Sequence, residues 1–166
     1  MKPAVFLLIA LALSVSGCGR QYSVSINNRP VYDPAGTLND VRVADADLQG
    51  CINFMASRMN TSSGQLTVLS CPNSNVQDLS GIEQLSLLRF LDLGNNNITS
   101  IEPVTALPRL SVLNVEDNPI NDITLLATLP GLTSVNLSGV TGLRCSHLDQ
   151  LQDKLGNNLI RPVSCD

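Results

Sequence analysis

The sequence predicts an α/β solenoid with a helical cap at each end. Three observations predict it: a 22-residue apolar period that starts at Leu66, an amphipathic helical stripe before it, and a second stripe after it between two cysteines. Of 166 residues, 43 % are apolar and 14 % charged, the balance of a globular chain rather than a disordered one. Ten Lys and Arg stand against 14 Asp and Glu, a net charge of −4, and no run of like charge exceeds two residues, which argues against a nucleic-acid partner. No Trp, 3 % aromatics and a single His leave little material for stacking platforms, histidine metal sites or imidazole base catalysis.

Residues 1–17 read as an address. Met1-Lys2 precedes ten uninterrupted apolar residues, Ala4 to Leu13, and charge returns only at Arg20. Ten residues rise about 15 Å as a helix, against roughly 30 Å of bilayer hydrocarbon, so this is a secretory core that is expected to be removed. The run ends Leu13-Ser14-Val15-Ser16-Gly17-Cys18, which resembles the signal box of bacterial lipoproteins. The resemblance implies diacylglycerol on the Cys18 sulfur, cleavage after Gly17 and acylation of the new amino group, palmitate being a typical acyl chain. Gly19 stands where Asp would hold such a protein at the inner membrane, so an outer-membrane lipid anchor is implied for a Gram-negative source. The alternative is an ordinary signal peptide with a chance cysteine near its cleavage site. Removal of Lys2 takes the net charge from −4 to −5, and two or more acyl chains hold a protein without a basic patch.

Residues 18–44 are expected to be a lipidated tether, polar and turn-rich through Asn27-Asn28, Pro30, Pro34 and Gly36. Tyr22, Val24 and Ile26 alternate as a strand would, and Val31-Tyr32 could pair back across Asn27-Asn28 against the objection of Pro30. Residues 45–65 form the N-terminal cap. Leu48, Cys51, Ile52, Met55 and Met59 fall at i, i+3, i+4, i+7 and i+11, with Asp45 and Asp47 at the positive end of the helix dipole. Methionines at that spacing fill a core rather than bind a soft metal.

The repeats occupy residues 66–142. Seven columns recur in three successive units, from Leu66/Leu88/Leu110 through Leu69/Leu91/Leu113 and Cys71/Leu93/Val115 to Leu85/Leu107/Leu129. All 21 sites are apolar, which at a 43 % background has a chance of the order of 10⁻⁸ before choice of frame. A fourth unit keeps Leu132, Val135 and Leu137, then departs at Gly142. The stretches Leu88-Arg-Phe-Leu91-Asp-Leu93-Gly-Asn-Asn96-Asn-Ile98 and Leu110-Ser-Val-Leu113-Asn-Val115-Glu-Asp-Asn118-Pro-Ile120 closely resemble the short 22-residue bacterial type of leucine-rich repeat. The resemblance covers residues 45–166. It implies one short strand per repeat in a parallel sheet lining a concave face, with tight turns and 3₁₀ segments on the convex side. No single repeat can bury its leucines alone, whereas stacked repeats bury them against each other. Asn96 and Asn118 stand where the chain turns inward, and an amide there satisfies backbone groups that water cannot reach. The first repeat has Ser74 in that column.

With Cys18 set aside, four cysteines remain, and an even number in an exported chain favours disulfides over metal. Three connectivities exist. Cys51 on the inner face of the cap helix and Cys71 in an inward column should meet, leaving Cys145 and Cys165 to close the C-terminal cap, residues 143–166. There Ser146 is expected to cap a helix carrying Leu148, Leu151 and Leu155, ended by Gly156. Each staple encloses about 20 residues and contributes roughly 3 kcal/mol in the chain-entropy model. Four thiolates without paired C-x₂-C spacing make a poor metal site.

On such a sheet the side chains between leucines face the concave side. One column is Val68, Phe90, Val112 and Ser134; the next is Ser70, Asp92, Asn114 and Asn136; Glu116 lies beyond. Val68, Phe90, Asp92, Val112, Asn114, Glu116 and Asn136 are therefore the candidate binding surface for a protein partner. The plain alternative is lateral pairing between strands. Asp92 and Glu116 would have α-carbons roughly 8 Å apart, within reach of paired-carboxylate hydrolysis, but an open sheet offers no desolvating pocket. A hard cation shared by Asp92, Glu116 and Asp117 is a further alternative. Single His147 is expected to face solvent. The convex side shows mainly short turns and Pro103, Pro119 and Pro130, with no comparable cluster. No catalytic residue, metal or cofactor is expected. The function these residues favour is a membrane-anchored protein-interaction module of the bacterial envelope; a structural or adhesion component is the alternative, and a hydrolase comes last.

Overall fold

The computed structural model describes residues 24–26, 29–32 and 40–165. Cys18, Tyr22 and the signal segment lie outside the described residues. β1 (Val24–Ile26) and β2 (Arg29–Tyr32) pair antiparallel, with an irregular register between Val24 and Ser25 and with Pro30 paired to Ser25.

The stretch Asp40–Ala44, read from sequence as the end of a tether, is instead laid along the first repeat. Val41 is buried, the Asp40 carboxylate accepts a hydrogen bond from the Gly64 N–H at 3.0 Å, and the Ala44 N–H donates to the Ser80 carbonyl at 3.0 Å. Gln84 clamps Arg42, its Nε2 donating to the Arg42 carbonyl at 2.6 Å. Gly81 lies beneath the strap at φ +97°, and a Cβ there would come within 2.7 Å of the Arg42 carbonyl oxygen. Only glycine suits both the left-handed backbone and that close approach. Two apolar side chains, Val41 and Val43, and a few hydrogen bonds to distant residues have no period to read, which is why this strap looks like a linker in sequence.

α1 (Ala46–Met59) starts where Asp45 accepts from the Asp47 and Leu48 N–H groups, and stops at Asn60 in left-handed geometry, φ 51°. Leu48, Ile52 and Ala56 are buried, with Cys51 and Met55 half-buried beside them. Met59 departs from the expected core stripe. It shares the angular position of Leu48 but sits in the last turn, where the chain reverses at Asn60, and is 45 % exposed.

The sheet is parallel and five-stranded: β3 (Val68–Ser70), β4 (Phe90–Asp92), β5 (Val112–Asn114), β6 (Ser134–Asn136) and β7 (Leu159–Ile160). Register follows the repeat, with Val68, Phe90, Val112 and Ser134 opposite one another. Between strands the chain returns through 3₁₀ segments at Ile82–Gln84, Glu102–Ala106 and Thr124–Thr128. All 21 column sites are buried, as are Leu132, Val135, Leu137 and Val140 of the fourth unit. The result is one continuous core along the solenoid, closed at each end by a helix.

The C-terminal cap departs from its sequence reading in two ways. Cys145–His147 is a 3₁₀ turn and α2 (Asp149–Leu155) begins after Leu148, with no side-chain cap from Ser146. Leu148, Leu151 and Leu155 are buried nonetheless, and Gly156 ends the helix at φ 53°. Past that turn β7 adds a fifth strand, Leu159 opposite Val135 and Ile160 opposite Asn136. Its offset from β6 is 24 residues where the repeats use 22, because a helix replaces the 3₁₀ return. Disulfides join Cys51 to Cys71 and Cys145 to Cys165, with Cα separations of 5.9 Å and 5.3 Å. His147, expected to face solvent, is half-buried: its side chain is 27 % exposed and Nδ1 lies 3.9 Å from the Asp122 carboxylate.

Candidate functional site on the concave sheet

Alternation along each three-residue strand puts its central leucine or valine into the core and its outer two residues on the concave face. Val68, Phe90 and Val112 form a half-buried apolar lane that ends at Ser134. Thr67, Arg89, Ser111 and Thr133 precede it, and Ser111 and Thr133 share a hydrogen bond between their hydroxyls at 2.9 Å.

The parallel lane is polar, and its groups engage each other. Ser70 Oγ donates to Asp92 Oδ2 at 2.8 Å, while Asn114 Nδ2 donates to Asp92 Oδ1 at 2.9 Å. The Gly94 N–H also donates to Asp92 Oδ1, at 3.2 Å. One repeat on, Asn136 Nδ2 donates to Glu116 Oε2 at 2.7 Å, and Asn114 Oδ1 accepts from the Glu116 N–H at 3.2 Å. Gly94 makes room for this arrangement, since a Cβ there would lie 3.1 Å from Glu116 Cγ and 3.2 Å from Asn114 Nδ2. Thus each carboxylate is answered by an amide from the next strand, and no hydrogen bond joins Asp92 to Glu116. Asp117 turns away from them. It adopts φ 51° and lies over Gly139, where a Cβ would come within 1.8 Å of Asp117 Oδ1. Among the described residues no group of three or more His, Cys, Asp or Glu side chains is placed to hold a metal ion.

Beneath the strand ends, Asn96 Oδ1 accepts from the Ser74 and Val76 N–H groups, both at 3.0 Å, while its Nδ2 donates to the Cys71 and Leu93 carbonyls. Asn118 repeats the pattern with Ile98, Leu93 and Val115. The two amides fix the inward turns, and they are buried at 6 % and 2 % exposure. Their role is structural.

Two features of this face escape sequence reading. Ile160, opposite Asn136, extends the sheet with a side chain 53 % exposed. A second column, Asn73, Asn95, Asp117 and Gly139, takes left-handed backbone at every repeat, and Asn95 Nδ2 donates to Asn73 Oδ1. The signal for that column was present, because Asn, Asp and Gly are the residues that tolerate positive φ and they recur at the repeat spacing. The convex side, read from sequence as mainly short turns without a comparable cluster, holds a groove between its second and third returns.

These elements define a leucine-rich-repeat solenoid, a scaffold type used for protein recognition. Residues 65–106 match the family model described as leucine-rich repeats in two copies. Among solved structures the chain is similar to an internalin, inlF, of Listeria monocytogenes, at 27 % identity and a TM-score of 0.63 over 76 % of this chain and 38 % of that one. It therefore spans well under half of that internalin. Internalin C2 of the same organism shares the fold at 20 % identity and a TM-score of 0.55, covering 76 % of this chain and 67 % of that one. The functional domain of Listeria monocytogenes InlJ, described as including a cysteine ladder, aligns at 25 % identity and a TM-score of 0.50 over 58 % of this chain and 22 % of that one. No curated protein matches the sequence. No helix among the described residues is long and apolar enough to cross a membrane.

Proposed function

We propose that the chain is a protein-interaction module of the bacterial cell envelope, held to a membrane by lipid on Cys18, that captures a protein partner on its concave sheet. The observation that carries this reading is the lane Val68, Phe90, Val112, three half-buried apolar side chains in register on adjacent strands. A central aromatic flanked by aliphatic groups is the usual make-up of an interface hot spot. The polar lane beside it is already cross-bonded, so little side-chain freedom is lost when a partner docks. Two disulfides fit an oxidising compartment, the box ending at Cys18 fits lipid attachment, and the similarity to internalins fits a surface or secreted bacterial protein.

Phe90→Arg is the decisive variant, because Phe90 lies outside the buried columns and its replacement leaves the core untouched. Capture of the partner should be lost while the melting temperature holds. Capture that survives Phe90→Arg and is abolished instead by Glu102→Lys on the far side contradicts the reading. Asp92→Lys is a poor companion, since it removes the acceptor for Ser70, Asn114 and Gly94 at once. For the anchor, Cys18→Ser should move the protein out of the detergent phase; unchanged partitioning contradicts lipidation.

A further inference from the structure

We infer that the convex face carries a second, separate site: a groove between the second and third repeats that takes an arginine side chain of a protein or peptide partner. The groove has a volume of about 230 Å³ and lies between the 3₁₀ returns Glu102–Ala106 and Thr124–Thr128. Ile101 and Ile123 line it from the core columns, and Leu125, 47 % exposed, stands as an aliphatic wall. Glu102, Asn121 and Asp122 line it as well, beside Ser100, Thr105 and Leu126, and its only ionisable groups are the carboxylates of Glu102 and Asp122. Small-molecule pockets run from about 300 to 1,000 Å³, so this volume suits one side chain better than a metabolite or cofactor.

The chemistry of the groove differs from that of the concave face in what is left unpaired. Asp92 and Glu116 are engaged by neighbouring amides. Glu102, by contrast, uses only its backbone, its N–H donating to Ser100 Oγ and its carbonyl accepting from Thr105 Oγ1. Its carboxylate has no hydrogen bond or ion pair among the described residues, and neither has the side-chain amide of Asn121. Asp122 spends Oδ1 on the Thr124 N–H and hydroxyl, at 2.9 Å and 2.8 Å, and adds negative charge with His147 3.9 Å away. Aliphatic and acidic side chains lining one groove complement a side chain with an apolar stem and a cationic tip. A free carboxylate and a free amide oxygen lining the same groove offer several acceptors, which favours the planar guanidinium fork over the single-point ammonium of lysine.

The test titrates the isotopically labelled full chain with acetyl-arginine N-methylamide, reading backbone amide shifts, and uses the neutral acetyl-citrulline N-methylamide as control. Saturable shifts are expected at Thr105, Asn121 and Leu125, with a Kd of about 1 mM, the scale of a single-side-chain contact. Glu102→Gln should weaken binding at least about fivefold with the remaining spectrum unchanged, matching loss of one charge-assisted contact. Leu125→Ala should also weaken it. Equal shifts from the citrulline compound, shifts that never saturate, or shifts clustered at Asp92 and Glu116 would overturn the site. Because Phe90 plays no part here, failure of this site and failure of concave capture are read separately.

Discussion

The carboxylate of Asp45 accepts a hydrogen bond from the backbone N–H of Gln77 at 2.8 Å, across 32 residues of chain. Its other oxygen caps α1 through Asp47 and Leu48, at 2.9 Å and 3.0 Å. A single side chain therefore both starts the cap helix and pins it to the return turn of the first repeat. Asp45→Ala should cost about 1–2 kcal/mol, the upper part of the range for a lost helix cap. Chemical denaturation measures it, and an unchanged midpoint would contradict the double role.

The same carboxylate sets an acid limit. Burial raises its pKa, but N–H groups of Leu48, Gln77, Asp78 and Asp47 outweigh that and hold it below the ordinary 3.8. A group depressed on folding contributes stability that is present above its unfolded value and lost as pH falls through the folded one. The loss attributable to Asp45 should therefore fall below about pH 4. Asp78 and Asp122 are shifted the same way, by Ser80 and Thr124 respectively, so Asp45→Asn should flatten the acid limb of a denaturation series without abolishing it. Identical limbs in the two proteins would contradict the assignment.

The two staples should differ in reactivity. Cys71 is 1 % exposed beneath α1, whereas Cys145 lies at the surface, and thiol exchange needs access to a sulfur. Stepwise reduction with alkylation and peptide mapping should label Cys145 and Cys165 first. Loss of the inner staple, as in Cys51→Ala, should cost about 2–5 kcal/mol. Early labelling of Cys71 would contradict this order.

Asn96→Ala strands the N–H groups of Ser74 and Val76 and the Cys71 carbonyl, while the Leu93 and Gly94 carbonyls keep bonds from Asn118 and Asn73. The expected cost is at least about 2 kcal/mol, since each buried unsatisfied group costs about 1–3. Asn97, next in sequence but exposed, is the control, and its replacement by Ala should change stability by less than about 0.5 kcal/mol. Equal effects would contradict the inward-turn role.

What the sequence made legible was whatever repeats at a fixed period. Leu66, Leu88 and Leu110 announce burial because three equivalent sites must be apolar together, and Asn96 and Asn118 announce their turns in the same way. β7 was hidden because its 24-residue offset and preceding helix break that period. The strap was hidden because Val41 and Gln84 each act once. On the concave face the columns could be read, but the fate of their polar groups could not: an Asp beside an Asn one repeat away is equally a ligand pair or a lateral bond, and only side-chain geometry shows that Asp92 and Asn114 are bonded. The convex groove is a product of packing, lined by Glu102 of one return and by Asn121 and Leu125 at the next.

The claim that a partner docks on the concave lane is tested most directly by photo-crosslinking in intact envelopes. A photoreactive amino acid would be placed singly at Val68, Val112 or Ser134 on the sheet and at Arg109 or Leu125 on the opposite side. The concave positions should yield one discrete adduct of common mass that disappears with Phe90→Arg. An adduct formed from Arg109 or Leu125 with none from Val68, Val112 or Ser134 would contradict the account.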